Sequence, residues 1–419
     1  MTVSKMAQNL IGSEIIKLAG EVNSMIARGE QICNLTIGDF DPSIYPIPQE
    51  LKEGITKAYN EGHTNYPPAN GVAVLRKAVT AFTKEKLGLS YPENDILVAG
   101  GSRPLIYATY LALVDPGDKV VFPTPSWNNN HYCHLSGATP VMVETRAENN
   151  FMPTAADVAP HLKGATLLAL CSPLNPTGTM FAKKDLQEIC DLVIEENKSR
   201  GEGEKPLYIL YDQIYWMLTF GTTHQHFDPV NLRPELKDYV IYIDGISKSF
   251  AATGVRVGYA YGPTIVMDKM KAILGHVGAW APKAEQMATA AYLQQPEQVN
   301  TFMTGLKQKI QSSLEVLYNG FKDLQKEGFA VDAIEPMGAI YLSVKMDLAG
   351  KTTPAGEVLH TSKDISFYIL SEAKLAVVPF SAFGSEPELN WFRLSVGGAS
   401  LEDIKASMSR LRAALEKLK

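Results

Sequence analysis

Long apolar runs, cysteine pairs and charge of one sign are all missing from this chain of 419 residues. Its apolar runs are short, Leu167 to Cys171 among them, whereas a membrane-spanning helix needs about 20 such residues. The first residues, Met-Thr-Val-Ser-Lys-Met-Ala-Gln, lack the apolar stretch of an export signal. The four cysteines, Cys33, Cys133, Cys171 and Cys190, form no Cys-x-x-Cys pair. That is not a disulfide scaffold, and it predicts reduced thiols in a cytoplasmic protein. Net charge is −6, from 39 basic and 45 acidic residues of interspersed sign, so neither nucleic acid nor membrane is expected as a partner. The eight histidines include no His-Glu-x-x-His pair, and no metal site is expected.

Familiar nucleotide and hydrolase signatures are absent too. No Gly-x-Gly-x-x-Gly follows a strand, no Gly-x4-Gly-Lys-Ser/Thr loop occurs, and no Gly-x-Ser-x-Gly elbow occurs. There is no fixed-period repeat and no low-complexity linker. At about 150 residues per domain, the length allows two or three domains.

What is present is alternation. Short β-rich runs at Asp95–Val98, Lys119–Phe122, Thr166–Cys171, Tyr208–Tyr211 and Tyr239–Ile243 are separated by helical patterns. Leu105–Val114 reads as a helix. So does the stretch carrying Leu186, Ile189, Cys190 and Val193 at i, i+3, i+4 and i+7. This predicts an α/β fold with a parallel sheet and helices on both faces. Glu195–Pro206 is polar and reads as an exposed excursion. A long helix around Val299–Lys326 then opens an α+β part. Strand-like pieces follow at Gly338–Val344, Leu375–Pro379 and Trp391–Val396. Ser400 with Asp403 caps a final helix striped by Ile404, Met408, Leu411 and Leu415.

In parallel sheets ligands sit beyond the carboxyl ends of the strands, so the loops after strands are where chemistry is sought. Four stand out. Asn175, in Ser172-Pro-Leu-Asn-Pro-Thr-Gly178, is by itself only a turn signal. Asp212, in Tyr211-Asp-Gln-Ile-Tyr215, is by itself as well read as a helix cap. Lys248 lies in a small-residue loop, Ser247-Lys-Ser-Phe-Ala-Ala-Thr-Gly-Val-Arg256, although a lone lysine is normally a solvated surface residue. Arg393 alternates with apolar neighbours in Trp391-Phe-Arg-Leu-Ser395, where a buried guanidinium calls for an anion.

Together these loops resemble the aminotransferase class I and II family, the fold-type I enzymes that use pyridoxal 5′-phosphate. Asn175, Asp212 with Tyr215, Lys248, Arg256 and Arg393 stand in the family's order. Lys248 and Arg256 are eight residues apart, and Asp212 and Lys248 are 36 apart. The likeness runs from about Ser13 to the C-terminus. Glu335-Pro-Met-Gly-Ala-Ile-Tyr341 and Val378-Pro-Phe-Ser-Ala-Phe-Gly384 match the small domain's pattern. The Gly-x-Ser-Lys loop is most similar to bacterial aspartate aminotransferases.

The resemblance implies a mostly parallel sheet in a large cofactor domain, residues 45–296, and a smaller α+β domain from 1–44 and 297–419. It implies a transaminase working by a ping-pong mechanism, from an L-amino acid, aspartate or another dicarboxylic or aromatic one, to a 2-oxo acid such as 2-oxoglutarate. By match to the family, Lys248 binds the cofactor and then acts as the base. Asp212 pairs with the pyridine nitrogen, and Tyr215 and Asn175 donate to the phenolic oxygen. Arg256, Gly101, Ser102 and Ser247 serve the phosphate, and Trp127 stacks on the ring. Arg393 and Gly38 take the substrate α-carboxylate. Tyr66, in Asn65-Tyr-Pro-Pro-Ala-Asn-Gly71, matches a tyrosine that reaches the neighbouring subunit's phosphate, which implies a homodimer.

The chain departs from the family pattern at three places. Ser102 stands where the most similar enzymes carry a lysine for the substrate's distal carboxylate. Arg103 beside it either takes over that role or points to solvent. Gly245 replaces a phosphate serine, as in the bacterial subgroup. Gly275-His-Val-Gly-Ala-Trp-Ala-Pro282 lacks the usual Ser/Thr-rich pattern. His131, His134, Asn128 and Trp280 are further candidates for shaping the pocket, with packing or surface roles as the plainer reading. The rival readings are a β-lyase or decarboxylase on the same scaffold, or a cofactor-binding regulator. Such regulators carry a DNA-binding segment, for which the short N-terminus offers no room.

Overall fold

The computed structural model describes residues 3–10, 14–221 and 224–419. Its main sheet has seven strands: β1 Ile96–Ala99, β2 Lys119–Thr124, β3 Thr139–Glu144, β4 Ala165–Cys171, β5 Tyr208–Asp212, β6 Val240–Gly245 and β7 Gly258–Tyr261. Their spatial order is β1-β7-β6-β5-β4-β2-β3. Every pairing is parallel except those of β7, which runs antiparallel to β1 and β6. The carboxyl ends of the other six strands therefore share one edge with the amino end of β7.

Successive strand residues face opposite sides of a sheet, and here both sides are covered. Leu97, Leu167, Ala169, Ile241 and Ile243 pack against helices Ser102–Leu113 and Thr264–Val277. Val98, Leu168, Leu170 and Tyr242 belong to the core on the other face, with Leu186, Ile189, Cys190 and Val193 of helix Lys183–Ser199. Double burial explains why these strands read as continuous apolar runs.

A second, four-stranded antiparallel sheet holds β8 Val331–Ala333, β9 Tyr341–Met346, β10 Val378–Pro379 and β11 Trp391–Ser395, in the order β10-β11-β9-β8. Helix Pro296–Lys326 leads into it and buries Val299, Met303, Leu306, Ile310, Leu314, Leu317, Phe321 and Leu324 along one stripe. Cys33–Asn34 pairs in parallel with Leu375–Ala376, tying the N-terminal segment to this C-terminal part. Among the described residues, no helix is long and apolar enough to cross a membrane, and no cluster of three or more potential metal ligands occurs.

Several boundaries differ from the sequence reading, which also had no strand at Thr139–Glu144 or Gly258–Tyr261. The helix expected at Leu105–Val114 begins at Ser102. Pro104 is tolerated there because first-turn amides need no helical acceptor. The expected excursion Glu195–Pro206 is helical through Ser199, with Arg200 paired to Glu196 at 2.9 Å and bonded to the Ala165 carbonyl. Leu375–Pro379 is two short strands, one joined to the N-terminal segment and the other to β11. The Ser400 cap forms as read, its Oγ accepting from the Asp403 amide at 3.1 Å.

Candidate active site

A cavity of about 780 Å³ opens at the shared edge of the main sheet and reaches across to the smaller sheet. Each strand end delivers a different group to it. After β1 comes Ser102, and after β2 comes Trp127. Asn175 follows β4, Asp212 ends β5 with Tyr215 just beyond, and Ser247 and Lys248 follow β6. Arg256 stands ahead of β7, and Arg393 reaches in from β11. Gly38 lines the wall between them.

Lys248 is half-buried beneath the N-terminal segment, where its Nζ donates to the Gly38 carbonyl at 2.5 Å. Burial lowers its amine to about 8, opposed by the Asp39 carboxylate and aided by the guanidiniums of Arg393, Arg103 and Arg256. An amine so placed is neutral in an appreciable fraction at ordinary pH, which suits a nucleophile or base. Asp212 is the counterpart. Burial raises its carboxyl to about 6, against the Ile214 amide and the charge of Lys248. Its Oδ1 accepts from Ile214 N at 3.1 Å, and among the described residues it has no ion-pair partner within 4.0 Å. A carboxylate held this way is built for a cation that enters the cavity.

Arg393 is 1 % exposed. It donates to Asn175 Oδ1 at 3.0 Å and to the Thr36 carbonyl. The rings of Tyr341 and Phe383 lie 4.8 and 4.9 Å from its Cζ. Its Nε is buried without an acceptor, and among the described residues no carboxylate pairs with it. An anion is the missing partner.

Arg256 is fixed by the Thr253 and Gly100 carbonyls, each 2.7 Å away. Gly101 does not line the cavity but stands directly behind it. A Cβ there would lie 2.3 Å from Arg256 Nη2, and its φ is +100°. Only glycine lets the chain turn here and start the helix at Ser102 against that guanidinium. Tyr66 also lies outside the cavity of its own chain. It is 80 % exposed and meets Trp280 edge-on at 5.2 Å.

Of the residues left open in the sequence, Arg103 lines the cavity, its guanidinium 5.0 Å from the Trp127 ring centroid. His131, His134, Asn128 and Trp280 do not line it, whereas Ser126 and Asn129 do. His134 instead meets the Met6 carbonyl at 2.8 Å. Sequence reasoning missed Asp39, Asn23 and Tyr341, all of which line the cavity. Asp39 adjoins a quoted motif, and a search for polar residues beside Gly38 would have found it; Tyr341 reads as one more aromatic of its strand. Asn23 carries no such signal.

Comparisons with known proteins agree with this geometry. The sequence profile of aminotransferase class I and II matches residues 30–411. The chain is 28% identical over 409 residues to an aspartate aminotransferase of Rhizobium meliloti (strain 1021), covering 97% of this chain and 94% of that one. It is 28% identical to the aspartate aminotransferase of Geobacillus stearothermophilus, with 99% of each covered. The crystal structure of an aspartate aminotransferase from Rhizobium meliloti superposes with a TM-score of 0.91 at 26% identity, over the whole of both chains. That of Thermus thermophilus with maleate gives 0.86 at 25%, covering 99% of this chain and 100% of that one. The protein is thus a member of the aminotransferase class I and II family, the pyridoxal-5′-phosphate-dependent transaminases.

Proposed function

We propose that this enzyme moves the amino group of a dicarboxylic L-amino acid such as aspartate to a 2-oxo acid such as 2-oxoglutarate, in a ping-pong cycle. The observation that carries the substrate class is Arg103: a guanidinium in the cavity wall with no carboxylate partner among the described residues. With Arg393 it offers two cationic sites, matching a substrate with a carboxylate at each end. Relatives of similar identity include aspartate aminotransferases and a probable aspartate/prephenate aminotransferase of Rhizobium leguminosarum.

The donor set fits the cofactor. Among the described residues Asp212 has no ion-pair partner and Arg393 keeps a buried donor without an acceptor, and the Gly101 turn passes against Arg256 just ahead of Ser102. Pyridoxal phosphate supplies an electron sink for the charge that develops at the substrate Cα. Around it, Asp212 holds the pyridine nitrogen protonated, and Tyr215 and Asn175 donate to the phenolic oxygen. Arg256 and Ser247, with the backbone amides of Gly101 and Ser102, hold the phosphate at a helix N-terminus. Trp127 covers a ring face. Lys248 would hold the cofactor through its amine and, once that amine is free, would serve as the base for the substrate Cα proton. Arg393 grips the α-carboxylate as a planar fork, beside the backbone of Gly38.

The reading extends to the whole molecule. The large part is residues 45–296, and the small part is 1–44 with 297–419. All seven strands of the main sheet fall between Ile96 and Tyr261, and the N-terminal segment pairs with Leu375–Ala376, which supports that division. Two chains form a homodimer in the cytoplasm, and the exposed Tyr66 reaches the partner's phosphate site.

A half-reaction spectrum tests the assignment. Aspartate and glutamate are expected to convert the visible band of the bound cofactor to the pyridoxamine form rapidly, and neutral amino acids slowly. Conversion by aromatic or neutral amino acids alone would overturn the dicarboxylate reading. No conversion by any amino acid would bring the lyase reading forward.

A further inference from the structure

Tyr341 is a buried hydroxyl at the site to which nothing above gives work. It sits on β9 beside β11, fully buried. Its Oη lies 2.5 Å from Tyr215 Oη, with the rings edge to face at 5.5 Å. On its other side a Cβ at position 38 would come within 2.5 Å of that same oxygen, which the bare backbone of Gly38 avoids. The hydroxyl is wedged between the Gly38 backbone and Tyr215, and the Arg393 guanidinium lies 4.8 Å from its ring centre.

Two hydroxyls in one hydrogen bond share two protons, of which the bond uses one. The more acidic hydroxyl is the better donor. Burial raises both, and the Arg393 guanidinium opposes this at both hydroxyls. The other titratable groups facing the pair are Lys248, 5.8 Å from the Tyr215 ring, Cys171 at the end of β4, and Asp39. Lys248 in turn faces Asp39, Asp212, Arg393, Arg103 and Arg256. Either hydroxyl can donate in this bond; if the Tyr215 proton goes to the phenolic oxygen, as proposed above, the proton of the bond comes from Tyr341.

We propose that Tyr341 is a positioning residue for the reaction: by donating to Tyr215 it aims the Tyr215 proton at the phenolic oxygen of the cofactor and strengthens that donation. The inference rests on the role proposed above for Tyr215. A hydroxyl that accepts one hydrogen bond donates the next more strongly, by roughly 10–30%.

Four proteins decide the matter: wild type, Tyr215→Phe, Tyr341→Phe and the double variant. Each is loaded with pyridoxal phosphate, and the visible absorption of the lysine-bound cofactor is titrated against pH. A donor to the phenolic oxygen competes with the proton on the lysine nitrogen, so its loss raises the midpoint. Tyr215→Phe is expected to raise it. Tyr341→Phe is expected to raise it by a smaller step, roughly a few tenths of a pH unit. The double variant is expected to match Tyr215→Phe alone, because Tyr341 acts through Tyr215. Arg393 keeps an aromatic face in Tyr341→Phe, so the KM for the amino donor should stay within about twofold of wild type. An unmoved midpoint in Tyr341→Phe, or additive shifts in the double variant, would overturn the proposal and leave the Tyr215 role standing. An unmoved midpoint in Tyr215→Phe would overturn both.

Discussion

Asp212, half-buried, and Arg393, buried, have no ion-pair partner of opposite charge among the described residues. Removing such a group should stabilise the cofactor-free protein while damaging function, as strained sites commonly do. The Asp212 carboxyl is held near 6, above its ordinary 3.8. The folded state therefore binds the proton more tightly than the unfolded one. This stabilises the fold below about pH 4 and is lost as pH rises through about 6. Asp212→Asn, which cannot ionise, should raise the stability of the cofactor-free protein at pH 7 by roughly 1–3 kcal/mol and by much less at pH 4. Urea melts at the two pH values measure this, and an equal effect at both would refute the assignment of cause. Arg393→Ala should weaken amino-acid binding by about 3 kcal/mol, or about a hundredfold in Kd. Arg393→Lys should recover only part, since a point charge cannot reproduce the planar fork. Unchanged affinity would move the carboxylate site elsewhere. Lys248, Asp212, Asn175 and Arg256 were legible as candidates because each follows an apolar strand or punctuates a Gly- and Pro-rich loop. Tyr341 was not. Within Gly338–Val344 it reads as another aromatic strand residue, and only packing against Tyr215 and Gly38 sets it apart.

At the scale of elements, the turn from β1 into the helix at Ser102 matters most. Gly101 takes a φ of +100° and passes behind Arg256. Gly101→Ala introduces both a backbone strain of about 1–3 kcal/mol and a collision with that guanidinium. Its expected outcome is a cofactor affinity at least tenfold weaker with little change in helix content, read by absorbance titration and circular dichroism. Retained affinity would show that the turn does not shape the phosphate site. Five of the seven strands of the main sheet were located from sequence to within a few residues, because burial on both faces leaves uninterrupted apolar runs. Thr139–Glu144, a largely exposed edge strand, and Gly258–Tyr261 were not. Helix ends were harder. Ser102 and Ser199 extend their helices into polar sequence, where side chains facing solvent leave no hydrophobic period to follow.

The whole molecule sets its active site between two sheets and, in our proposal, between two subunits. The purified protein should sediment at twice the chain mass of 45.9 kDa. Tyr66→Phe should raise the cofactor Kd several-fold, as loss of one phosphate contact does. A monomer binding the cofactor at full affinity would refute the shared site. The sequence by itself determined the alternating α/β architecture and the order of the loops that carry Asn175, Asp212, Lys248 and Arg256, because periodicity and turn residues report local burial. The cofactor class came from the likeness of those loops to the family's pattern, not from periodicity. Tertiary structure alone decided which distant groups meet: Arg393 with Asn175, 218 residues away, Tyr341 with Tyr215, and Arg103, exposed, with Trp127 in the cavity wall. Such meetings depend on how the smaller sheet packs over the larger one, and no local pattern in the chain encodes that distance.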